Sequence, residues 1–168
     1  MKNDSLIFTT LHYVISLIFF LMILFNTVSL TRITVNMSVN NDDENAKKAK
    51  DLMILSCSLG YGGLLFILLF AVIIYIYIYN SNTHNKNMTC YEKLTGVTDN
   101  KNMHQLFEIS SFVIMMIISI LIAVLCKESG DYISKSDDPS EYDSQYDYCR
   151  ALTEIFMGHF LIFSTLQG

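Results

Sequence analysis

Four stretches of the chain stay apolar for about the thickness of a bilayer, with polar connectors between them. The longest, Leu52 to Tyr79, reads LMILSCSLGYGGLLFILLFAVIIYIYIY and holds no charged residue. A hydrocarbon core about 30 Å thick takes roughly 20 apolar residues as a helix, so this run crosses with length to spare. Inside lipid the backbone must satisfy its own hydrogen bonds, which makes the run a helix. The alternation Tyr75-Ile76-Tyr77-Ile78-Tyr79 then marks a membrane–water interface rather than a strand. A buried helix of a soluble domain rarely exceeds about 20 residues and fits this stretch poorly.

The other three runs are less uniform. Leu6 to Leu30 reads as a retained transmembrane helix. Its rival is a secretory signal peptide, since Thr27 and Ser29 are small enough to flank a cleavage site, although the apolar stretch exceeds the ~7–15 residues of such a segment. Leu106 to Cys126 is the third span, with Glu108 in its first turn. Arg150 to Gly168 is shorter in its apolar part than the ~20 residues of a full crossing and carries Glu154 and His159. It is expected to be a fourth spanning helix, with a re-entrant or interfacial helix as the alternative, and no tail of any size is expected after it. The fold expected is all-α: one integral membrane four-helix (tetraspan) bundle with short loops and helices at about 6–30, 52–79, 106–126 and 150–167.

The connectors add charge and candidate modification sites. Thr31 to Asp51 includes the acceptor sequence Asn36-Met37-Ser38 and the charged run DDENAKKAKD, expected as solvated first turns of the second helix. Asn80 to Gln105 carries a second acceptor, Asn87-Met88-Thr89. Lys127 to Cys149, KESGDYISKSDDPSEYDSQYDYC, is expected as an acidic, tyrosine-rich loop, and it accounts for the whole imbalance behind a net charge of −5. With four spans, the first and third connectors share one face. Asn36 and Asn87 then lie on opposite faces, so glycosylation is possible at Asn36, or at Asn87 if the topology is inverted. Counting lysines and arginines puts the first and third connectors in the cytoplasm by a small excess.

Little catalytic chemistry is on offer. No Ser/His/Asp or Cys/His arrangement, phosphate loop or metal-ligand spacing stands out, so the chain is expected to be no enzyme and to need no cofactor or metal. The absence of a basic patch with interleaved aromatics excludes nucleic acid as a partner. Ser56, Gly60 and Gly63 fall on one face of the second helix, where small residues let helix backbones approach closely in lipid. Cys126 and Cys149 bracket the third connector, and either a disulfide or a free, buried pair accounts for them. Tyr132, Tyr142, Tyr146 and Tyr148 would give that connector the rigid amphipathic area of a partner-contact surface, against the plainer reading of a solvated loop. His12, Glu108, Glu154 and His159 would have to line a common interior in a transporter. Glu154 and His159 stand about 140° apart on a helix, which weighs against one.

The second helix is rich in small residues at LGYGGLLFILL, the third is entered through LFEISSFV, and an arginine opens the last in CRALTEIFMGHF. In these features and in its layout the chain resembles the MARVEL-type tetraspan architecture and, within it, is similar to small arthropod junction proteins of the snakeskin kind. It implies cytoplasmic termini and a role in cell–cell junctions. The function expected is therefore a non-enzymatic tetraspan that organises membrane or junction partners through its acidic third loop. Its partners would be lipid and other membrane proteins, as a homo- or hetero-oligomer, most simply in the plasma membrane. The alternatives are an accessory subunit of a larger organellar or viral membrane complex, or a small transporter or channel subunit.

Overall fold

Among the residues it describes, the computed structural model forms four helices, α1 (Lys2–Asn36), α2 (Glu44–Asn82), α3 (Lys101–Ile133) and α4 (Asp143–Leu166), with one 3-10 turn (Pro139–Tyr142). It describes the backbone of residues 2–40, 42–82 and 101–166, and the side chains of residues 14, 17–40, 42–77 and 110–158. Three helices contain segments long and apolar enough to cross a membrane: Leu17–Asn36, Glu44–Tyr77 and Ser110–Ile133. The fourth, α4, is shorter at 24 residues and carries Arg150 and Glu154.

All three long helices outreach a bilayer core. At 1.5 Å per residue the 39 residues of α2 measure about 58 Å, and the 33 of α3 about 50 Å, against about 30 Å of hydrocarbon. Much of the surplus lies at the end where the α1–α2 and α3–α4 turns meet. Helix persists there because the sequence supports it without lipid. Ala46 and Ala49 are strong helix formers, and Asp43 caps α2 by accepting the Ala46 amide on its Oδ1 at 2.9 Å. Lys50 closes the neighbouring end of α1, donating from Nζ to the Met37 carbonyl at 2.7 Å.

The stretch Lys127–Cys149 is accordingly not a loop. α3 continues through it to Ile133 and α4 begins at Asp143, leaving nine residues between them, the last four in the 3-10 turn. Averaged hydropathy marks this stretch as polar, yet Ser129 and Ile133 on α3, and Gln145 and Cys149 on α4, are buried one turn apart along each helix. That narrow stripe suffices to hold two charged helix ends together.

The helices pack in chain order. α2 lies between α1 and α3, and α4 packs on α3, with only marginal contact between α1 and α4. The end where the two turns meet is the head; away from it, only 22% of an 18-residue apolar window of α2 is buried, and Leu65, Phe66, Leu69, Val72 and Ile73 face outward as a lipid-facing surface requires. The densest packing is in the head, where Met37, Ala46, Ala49, Cys126, Ile133 and Cys149 are each at most 1% exposed.

Candidate functional site

The head is the part of the molecule where polar side chains converge, and Asp43 is its hub. Besides capping α2, its Oδ2 accepts the amide of Asp137 at 3.0 Å, tying the α1–α2 turn to the α3–α4 turn. One residue into α2, Asn45 donates to the Lys135 carbonyl at 2.7 Å, a second tie across the same two turns. The amides of Ala46, Asp137 and Asn45 hold the Asp43 carboxyl below its ordinary value, against the opposing effect of burial. Deeper in, Ser129 on α3 donates to the Ala49 carbonyl on α2 at 3.0 Å, a bond that only small residues on both helices permit.

The four tyrosines separate. Tyr142 is 2% exposed and part of the core, so it cannot serve as the partner contact expected of it. Burial first, then the charges of Glu141 and Asp43, raise its hydroxyl above the ordinary range. Tyr148 is half-buried and turns inward toward α1, its hydroxyl 3.5 Å from the Asn26 carbonyl. Tyr132 is also half-buried, with Lys48 and Lys135 over its ring at 5.9 and 6.0 Å. Only Tyr146 is exposed, its ring lying beside Gly130 of α3. The acids, in contrast, all face out: Glu128, Asp131, Asp137, Asp138, Glu141, Asp143 and Asp147 are exposed.

The small residues of α2 serve two partners rather than one. A Cβ at Gly60 would meet Thr27 of α1, and one at Gly63 would meet Ile118 of α3. Ser56 is fully buried, bonds back to the Leu52 carbonyl at 2.9 Å and touches Cys126 of α3. The complement of Gly60 on α1 is a threonine stripe that sequence reasoning missed. Thr27 packs on Gly60, Thr31 donates to the Tyr61 hydroxyl at 3.2 Å, and Thr34 lies 3.9 Å from the Cys57 sulfur. Its signal was the spacing of four and three within an apolar run, the same spacing that flagged α2.

Cys57, Cys126 and Cys149 are free, buried thiols contributed by α2, α3 and α4. Among the described residues no group of three or more histidines, cysteines or acids is placed to hold a metal ion. Asn36 is exposed at the last position of α1, while Met37 in the middle of its acceptor sequence is buried. Asn87 and Cys90 lie outside the described residues, and so do the side chains of His12, Glu108 and His159. Glu154 pairs with Arg150 at 3.3 Å, both side chains 69% exposed. A small cavity of about 190 Å³ sits between α3 and α4, with Cys126, Gly130, Tyr146 and Thr153 in its wall. Set beside known protein families, curated proteins and solved structures, the chain matches none.

Proposed function

We propose that this chain is a non-enzymatic, four-span integral membrane protein that organises partners at a membrane through the acidic surface of its head, in the manner of MARVEL-type junction components. One observation carries the reading: seven acids stand exposed on a scaffold whose interior is closed by buried residues and by the Asp43 ties between its two turns. A fixed array of like charge recognises a complementary, basic surface and steers its approach. Exposed charge on mobile loops would contribute much less, because each contact would first have to order the chain.

Four spans are supported by α4 running antiparallel beside α3. Leu152 and Phe156 are 1% exposed, and Thr153 bonds to Ala123 of α3, so the helix is directed along the same axis as the three long ones. At 1.5 Å per residue its 24 residues measure about 36 Å in all, against about 30 Å of hydrocarbon, with the first turns of that length lying in the head. The outward position of Glu154, paired with Arg150, favours organisation over transport, since a transport path needs its ionisable groups turned inward.

The test is co-purification from native membranes. Neutralising Glu128, Asp131, Glu141 and Asp147 together to Gln or Asn should strip away a defined set of membrane partners while the thermal stability of the chain in detergent stays the same. Capture of the same partners by the neutralised chain would overturn the reading. Glycosylation at Asn36 and not Asn87 would put the head outside the cell, as the junction reading requires; sugar at Asn87 alone would invert it.

A further inference from the structure

The α3–α4 seam can be read residue by residue. Toward the span, Thr153 of α4 donates from Oγ1 to the Ala123 carbonyl of α3 at 3.3 Å. Toward the head, the Tyr146 ring lies 3.7 Å from the place a Cβ would occupy on Gly130. Between these two contacts, one helical turn from each, stand Cys126 on α3 and Cys149 on α4. Both are 0% exposed. The two side chains neighbour each other across the seam, and the Cys149 S–H donates to the Ser129 hydroxyl at 3.9 Å. Ala123, Cys126, Ser129 and Gly130 are the residues α3 presents here, all small enough for the two backbones to approach. Close approach is what a disulfide needs, since its two Cα atoms must come within about 4.4–6.8 Å. Cys57, the third described thiol, lies 3.9 Å from the Thr34 hydroxyl of α1.

We propose that Cys126 and Cys149 are a disulfide-forming pair that covalently pins α3 to α4 at the base of the head. The oxidant is a donor disulfide, carried by a small thiol or by a thiol–disulfide oxidoreductase. The thiolate of one of the two cysteines attacks one sulfur of the donor and expels the other as a thiolate, forming a mixed disulfide. The second cysteine, losing its proton, then attacks the protein-bound sulfur and expels the second donor thiolate. Two S–H bonds of the protein are lost and one S–S bond forms. The two electrons reduce the donor to two thiols, which take up the two protons. The cavity walled by Cys126, Gly130, Tyr146 and Thr153 gives the donor its approach to this seam. The bond would make the head a single covalent unit across the α3–α4 turn. The proposal is independent of what the acidic surface binds.

The decisive experiment is peptide mapping of the full chain in native membranes, treated with dipyridyl disulfide, quenched with a maleimide and digested without reductant. Trypsin cuts at Lys127 and Lys135, between the two cysteines, so a bond joining them appears as a linked peptide that separates on reduction. The expected product links Cys126 to Cys149, and the Cys57→Ser/Cys90→Ser variant, which retains only this pair, gives the same product. A link from Cys57 to either residue would overturn the proposal. So would recovery of Cys126 and Cys149 as maleimide adducts, or as unlinked pyridyl mixed disulfides, after the oxidant.

Discussion

Changing Gly60 to Ala tests the helix packing most directly, because the structure supplies both the clash and its relief. A Cβ there would fall against Thr27 Oγ1, with Thr27 Cγ2 at 2.7 Å and Cβ at 3.1 Å. Thr27 cannot step aside by rotating, since its branches and its Cβ all face the glycine. Its hydroxyl is committed to the Ile23 carbonyl at 2.7 Å, and the residue is 3% exposed. The strain falls on the α1–α2 seam itself. Overpacking of this kind costs about 1–3 kcal/mol. The gain in helix propensity, about 1 kcal/mol for Gly→Ala in water, offsets little in lipid, where a separated helix is already formed. We expect a net loss of about 1–2 kcal/mol, a factor of about 5–30 in the folding equilibrium. Gly63→Ala should cost less, because it meets the tip of the flexible Ile118 side chain. Gly62→Ala should cost nothing, having no neighbour within 4 Å. Reversible unfolding in mixed micelles at rising SDS mole fraction, followed by circular dichroism, ranks the three. Thr27→Ala combined with Gly60→Ala should recover most of the loss, as a favourable coupling in a double-mutant cycle. Equal stability of the Gly60 and Gly62 variants, or a loss that Thr27→Ala leaves untouched, would refute the packing argument.

Four further outcomes follow from the head and from α4. Since the Asp43 carboxyl is held below its ordinary value of 3.8, its contribution is complete above that pH and is lost as the pH falls through its lower folded value. Acid titration of Asp43→Asn against the parent should therefore show a flatter acid limb, with lower stability at neutral pH. Tyr142 titrates above its ordinary value of 10, so its contribution is present below pH 10 and fades as the pH rises further. Tyr142→Phe keeps the buried ring and should flatten the alkaline limb of the same measurement. Leu152→Ala, at a residue 1% exposed between α3 and α4, should cost about 2–5 kcal/mol in the micelle assay. Arg150→Ala, breaking an ion pair whose partners are both 69% exposed, should cost about 0–1 kcal/mol.

The glycines show where sequence reasoning stops. Their spacing marks a face that admits a close neighbour, and the structure does seat helices against it. It assigns Gly60 to Thr27 of α1 and Gly63 to Ile118 of α3, a division that spacing on one helix cannot contain. The acidic stretch misled for a different reason. Hydropathy averages over a window, and the charges of Glu128, Asp131 and Asp147 outweigh a stripe one residue wide. Read at helical spacing, Tyr142, Gln145, Cys149, Leu152 and Phe156 follow one another along a single buried face. That periodicity was legible along the last helix.

By itself the sequence determined what depends on local chemistry alone: four apolar runs, their helical state, and the balance of charge between them. Transfer to lipid and backbone hydrogen bonding act segment by segment, so these need no knowledge of neighbours. The tertiary structure decided everything that depends on register between helices: the Asp43 ties between turns, the inward position of Tyr142, and the meeting of Cys126 with Cys149. Register is set by the fit of side chains from two helices at once, and a side chain gains its meaning from the partner it meets.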